Sequence, residues 1–348
     1  MNDGTRISRR VVLATPLTVA LAPSFSHAAE PILWRRPAVV RVEGRRRALF
    51  ELHVDRRPLA AIMVRDADDG ALLRTFEGSD LDGRRVVEPN GVVVFVELDL
   101  PPSTRRLSIN AGGQPIPTGL ALDDGPMLGP PLRGGPWAAV YKADWARGHR
   151  RVFYALDGKA RLPGRTAIDW VGLDDQGRIA AGDSDLASDA LGYGAEVLAV
   201  ADAIVAAARD GVPEAVRISQ NGKHPRDLAA GNFVSLDLGA GRYAIYEHLI
   251  PGSLRVRAGD QVRRGQVIGR LGFSGDSTGP HLHLHVADAA APLLGEGVGY
   301  GFERFALLGR YEDIGRLGAG PWNPLAAGLA PERRDELPGP NVVVRFPD

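Results

Sequence analysis

The sequence has no cysteine. That excludes a disulfide, a thiolate metal site and a thiol nucleophile. It also has no surplus of either charge: 42 Lys and Arg balance 42 Asp and Glu, for a formal net charge of +0. A nucleic-acid binder needs positive excess to neutralise phosphates, so no such partner is expected. The apolar run from Val11 to Ala22 is too short for a comfortable membrane span. There is no sustained heptad, no P-loop and no repeat of fixed period. Glycine (43) and proline (26) are plentiful instead, which favours turns and short strands over long helices. A chain of 348 residues leaves room for about two domains and a leader.

Residues 1–28 read as a processing signal. Arg6, Ser8, Arg9 and Arg10 give a basic start, the apolar run follows, and Ser26 and Ala28 supply small residues at −3 and −1 of a cleavage site. Ser8-Arg9-Arg10-Val11-Val12-Leu13 resembles a twin-arginine export signal. The expected location is periplasmic or extracellular, in the cell envelope, with no membrane span left after cleavage.

Residues 29–113 read as an all-β domain. Ala48, Phe50, Leu52 and Val54 alternate with Leu49, Glu51 and His53. Val92 to Val96 is a continuous apolar run suited to a strand buried on both faces, and Leu107 and Ile109 alternate with Ser108 and Asn110. Such spacing predicts a small β-sandwich, immunoglobulin-like in shape. His53 is a lone strand histidine, expected on the surface or in packing. Residues 114–136 are rich in Gly and Pro and read as a linker. A second domain is expected over 137–312. A tail follows, 313–348, in which Asn341 to Phe346 offers a closing strand. Glu196 to Asp210 fits either a helix or strand–turn–strand on periodicity alone.

Six of the eight histidines fall in the second domain: His149, His224, His248, His281, His283 and His285. Gly279-Pro280-His281-Leu282-His283-Leu284-His285-Val286 reads as a strand. Side chains two apart share a face, so the three imidazoles project together while the leucines enter the core. Two such imidazoles can serve one zinc, or one can bind while its neighbour moves protons. His248 lies on another strand-like run, Ala244 to Leu249. His224, in Asn221-Gly222-Lys223-His224-Pro225, is expected in a turn and in solvent.

These runs form linked motifs. Tyr246-x-His248-Leu249 is followed by Val256-x-x-Gly259-x-x-Val262-x-x-Gly265-x-x-Ile268-Gly269, then by Gly275-x-Ser277-Thr278-Gly279-Pro280-His281-Leu282-His283. Over about Gly192 to Val286 the chain resembles the lysostaphin/LytM, or duplicated-hybrid-motif, family of zinc endopeptidases. The resemblance implies a compact antiparallel β-sheet with its metal in a groove, and it favours strands over helix for Glu196 to Asp210. It implies that His283 and Asp169 bind zinc, and that His281 and His248 flank the metal in proton transfer and charge stabilisation. It points to peptidoglycan peptides as substrate. The fold class expected overall is therefore mainly β: an immunoglobulin-like sandwich followed by an antiparallel peptidase domain.

The motif departs in one place. The family's first ligand is a histidine four residues before the aspartate, and here that residue is Arg165. A guanidinium has no lone pair for a metal. Two explanations stand. In one, the chain from His149 through Tyr154 turns near Lys159 and returns to Asp169 as a hairpin, which sets His149 opposite Asp169 as the third ligand. In the other, the site is degenerate, and the domain binds peptidoglycan or activates another cell-wall hydrolase as a regulatory partner. Tyr246 shares strand parity with His248, which puts it either in the groove or in the core.

Overall fold

In a computed structural model, residues 32–33, 36–54, 59–88, 91–116, 121–142, 144–145, 148–156 and 159–348 are described. The export-signal features of residues 1–28 lie outside them. The described chain is built of strands and short turns, with antiparallel sheets predominating. The Gly and Pro content expresses itself in that way: the one α-helix among the described residues is five residues long, Gly78–Asp82.

The first domain is two sheets around one core. One contains the long strands Arg45–Val54 and Gly91–Leu100, paired in register from Arg46 opposite Leu100 to Val54 opposite Val92. The other runs Leu72–Glu77, Ala61–Asp66, Leu107–Ala111, Gln114–Ile116. Phe50, Leu52, Val94 and Val96 from the first sheet meet Ile62, Val64, Phe76 and Ile109 from the second. This is a sandwich.

The alternate face of Arg45–Val54 carries Leu49, Glu51 and His53. Leu49 and Glu51 are buried, because the first sheet has the second domain on its outer side. Val40, Val42 and Leu49 join the core of the second domain, while Val93 and Phe95 pack on Leu162. The Val92–Val96 run is thus apolar throughout because it faces two cores. His53 is half-buried with its ring edge-on to Phe153.

The second domain is organised by a 12-stranded sheet. Its central order is Gly301–Arg310, Val342–Arg345, Trp137–Val140, Ile168–Gly172, Leu282–Ala287, Tyr243–Leu249, Asn232–Asp237, Ala203–Arg209. Residues 114–136 are not a free linker. They contribute Gln114–Ile116 to the first domain and Met127–Leu128 to the edge of the large sheet, and they bury Leu128 and Leu132. The tail is likewise part of the body, since Val342–Arg345 lies inside the sheet. Glu196 to Asp210 is strand–turn–strand, Glu196–Leu198 then Ala203–Arg209.

Candidate metal centre

Three neighbouring strands carry the site. Asp169 stands opposite His283, and His283 stands opposite Glu247, so these side chains form a row across the sheet. Alternation does the sorting. Ile168, Trp170, Leu282, Leu284 and Tyr246 are fully buried in the core on one face, and Asp169, His283 and His285 emerge on the other.

His149 reaches the row by a route the sequence does not reveal. A hairpin does form, Tyr154–Leu156 against Lys159–Arg161. His149 is not on it, and the strand neighbours of Asp169 are Val140 and His283. His149 sits on a 3-10 turn, His149–Arg151, packed against a second one, Pro163–Thr166. Gly164 makes this close packing possible: a Cβ there would lie 2.8 Å from the His149 Cβ. The result is His149 Nε2 2.8 Å from Asp169 Oδ2, with His283 Nδ1 2.8 Å from Asp169 Oδ1.

One ligand atom from each of His149, Asp169 and His283 lies within 4.8 Å of the other two. Two imidazole nitrogens and one carboxylate oxygen are the donor set of a three-ligand zinc site with an open position. Burial by itself favours the neutral acid at Asp169, yet His149 and His281 hold its carboxyl well below the usual range, so it stays an anionic donor. The residues present fit a zinc ion.

His283 also has a second partner. Its Nε2 is 3.1 Å from His285 Nδ1, and Glu247 Oε1 is 3.7 Å from that same nitrogen. Glu247, His283 and His285 form another close group. A neutral imidazole has one lone pair, however, and the Nδ1 of His283 faces Asp169. His285 and Glu247 therefore stand behind His283: the Nε2–H of His283 donates to His285, which fixes its tautomer and ring orientation. Burial and the neighbouring imidazoles hold the pKa of His285 well below the ordinary value, which keeps it a neutral acceptor. Burial also pushes the Glu247 carboxyl up. Sequence reading missed Glu247; its signal was a lone acid in the otherwise apolar run beside His248.

His248 and His281 flank the row, their ring centroids 4.9 Å apart. His248 Nδ1–H donates to Ser274 O at 2.8 Å, and His281 Nδ1–H donates to Gly279 O at 2.7 Å. Each thus presents Nε2. Strand parity would send His248 into the core with Tyr246. It reaches the groove because its φ is 65°, the left-handed region, at a bulge where Tyr246 to Leu249 oppose Asn232 to Val234 with one residue extra. Tyr246 stays in the core, where its hydroxyl accepts from Val200 N at 2.9 Å. Burial and two neighbouring histidines hold the pKa of His248 well below the ordinary value. At His281 burial acts in the same direction, but Asp169 and the Gly279 carbonyl outweigh it and raise the pKa.

Arg165 lies on the second of these 3-10 turns. It is buried, and its guanidinium turns to Glu51 (Nη2 to Oε2 2.7 Å), Glu296 (3.2 Å) and Gly297 O (2.5 Å). His224 lies in an irregular loop rather than free in solvent: it is half-buried, its backbone N–H donates to Asp276 Oδ1 at 2.7 Å and its ring Nδ1 is 3.3 Å from the same oxygen. Two cavities, of about 400 and 460 Å³, meet at the centre; both are lined by His149, Gly164, His248 and Asp276. One extends to Val40, Arg47 and Leu49 of the first domain, the other to Tyr154, His283 and His285.

The sequence profile of peptidase family M23 matches residues 188–293. The match contains His248, His281, His283 and His285, and begins after His149, Arg165 and Asp169. Among solved structures, the catalytic domain of the prophage-encoded M23 protein EnpA from Enterococcus faecalis is similar at 19% identity, covering 51% of this chain and 94% of that one, with a TM-score of 0.28. The catalytic domain of lysostaphin from Staphylococcus simulans is similar at 18% identity, 46% and 87% coverage and a TM-score of 0.23. Csd3 from Helicobacter pylori is similar at 16% identity, 72% and 47% coverage and a TM-score of 0.27.

Proposed function

We propose that this chain, which carries a LytM-type domain of peptidase family M23, is an exported zinc metalloendopeptidase that hydrolyses peptide bonds of peptidoglycan. The observation carrying the proposal is the pair of 2.8 Å contacts that sets His149 and His283 on the two oxygens of one buried aspartate. The family's missing histidine is thereby replaced from another part of the chain, which favours an active site over a degenerate one. His149, Asp169 and His283 would hold the zinc ion.

Bound zinc supplies the Lewis acidity that activates water and polarises a peptide carbonyl near neutral pH. The chain's own groups do the rest. His248, kept neutral and oriented by Ser274, has its Nε2 lone pair ready to take a proton from the attacking water. His281, oriented by the Gly279 carbonyl, would in its protonated form donate from Nε2 to the oxygen on which charge develops. A peptide lying along the two cavities passes Asp169 and His283 between them.

Export is part of this reading, supported by Arg9-Arg10 and the apolar run after them. Among the described residues no helix is long and apolar enough to cross a membrane. The deciding experiment is digestion of purified sacculi by the purified protein, with and without chelator, beside its zinc content. Release of peptides that stops on chelation and returns with zinc is expected. A zinc-loaded protein that binds sacculi and releases nothing would leave only the binding or activator role.

A further inference from the structure

His149 stands on a weak support. The turn His149–Arg151 is three residues long, has no side-chain cap, and is closed by backbone contacts of 2.8 Å and 3.5 Å. A ligand on such a turn needs anchoring from elsewhere. The next residue provides it. Arg150 is 5% exposed, with its guanidinium carbon 5.5 Å from the Phe95 ring. There it pairs with Glu51 and reaches Val96 O at 3.4 Å. Arg151 also stacks over Phe95, at 5.3 Å. Glu51, Phe95 and Val96 all belong to the first domain.

Glu51 itself is fully buried. Its second oxygen holds Arg165, the residue at the family's ligand position, on the turn that packs against His149. One carboxylate therefore ties both turns that bracket the metal centre.

We propose that Glu51 is a positioning residue of the metal centre: through Arg150 and Arg165, the first domain holds His149 in place as a ligand. This rests on the reading of His149, Asp169 and His283 as the zinc site. It gives the first domain a part in the chemistry, since without its carboxylate the buried Arg150 guanidinium loses its counter-charge and Arg165 is left with Glu296. It also relates the departure at 165 to the arrival of His149. An arginine at 165 removes one ligand, and the salt bridges that bury that arginine fix the turn supplying another.

The test is a double-mutant cycle on zinc affinity in the full chain, read by chelator competition, with folding followed by circular dichroism. Glu51→Gln is expected to stay folded and to bind zinc about 10–100-fold more weakly, as loss of a group orienting a ligand does. His149→Ala is expected to weaken binding in the wild type and to add little once Glu51 is gone, because the ligand is already displaced. Arg310→Gln, which breaks the exposed Arg310–Glu43 pair between the same domains, should leave zinc affinity unchanged. Unaltered affinity in folded Glu51→Gln, or full additivity with His149→Ala, would overturn the proposal. So would an equal loss in Arg310→Gln, which would mean general loosening. Should Glu51→Gln not fold, Arg150→Met enters the same cycle with the same expectation. A wild-type chain that takes up no zinc defeats the parent reading, and this inference with it.

Discussion

At the scale of single residues, the proposed centre divides metal binding and proton transfer among neighbouring side chains. His283→Ala removes a ligand nitrogen, and mass-spectrometric metal analysis should find the protein without zinc. His248→Ala removes no ligand. It should retain zinc yet lose about 10²–10⁴-fold in turnover, the usual contribution of a positioned acid or base; retained turnover would move the base elsewhere. Gly164→Ala offers a finer probe. Its added methyl meets the His149 Cβ at 2.8 Å, so zinc affinity should fall although no ligand is altered. Alternation alone set His281, His283 and His285 on one strand face, while the roles given to His248, His281, His283 and Asp169 came from the resemblance of their motifs to the family. Glu51, Glu247 and Arg150 were hidden because charged residues on strands and turns usually face water, and only tertiary packing shows what covers them.

At the scale of elements, strand alternation explains which side chains face the centre, with one exception that matters. His248 breaks parity through a left-handed backbone, a conformation Asn tolerates and β-branched residues resist. His248→Asn should melt close to the wild type, whereas His248→Val should lose about 1–3 kcal/mol of stability in denaturant titration. Equal losses would show that the backbone there is unstrained. Tyr246→Phe orphans the buried Val200 N–H and should cost about 1–3 kcal/mol without touching zinc. Periodicity left Glu196 to Asp210 open, and family resemblance resolved it correctly. Symmetrical folding of the Tyr154–Arg161 hairpin did not predict how His149 arrives, since a 3-10 turn has no register to extrapolate.

At the scale of the whole molecule, the two domains share apolar packing and a buried ionic knot. Burial alone would raise the Glu51 carboxyl, but Arg165 and Arg150 hold it down to about 2, against an ordinary value of 4.5. A depressed carboxyl stabilises fully above its unfolded value, and that contribution fades as pH falls from about 4.5 towards 2. Acid titration should therefore loosen the domain contact across that window, and Glu51→Gln should flatten the transition there. A contact indifferent to that substitution would be held by its apolar part alone. The mainly β character was readable from turns and alternating runs; the intimacy of the two domains was not, because Gly- and Pro-rich residues 114–136 mimic a tether while burying Leu128 and Leu132. The placement of Val342–Arg345 has a consequence in time. That strand lies between Gly301–Arg310 and Trp137–Val140, next to the strand bearing Asp169. While a ribosome is still making residue 340, both neighbours present open edges, so the sheet that carries the ligands cannot close domain by domain during synthesis. Closure of that sheet must await residues 342–345, and a product cut before them would expose unpaired strand edges.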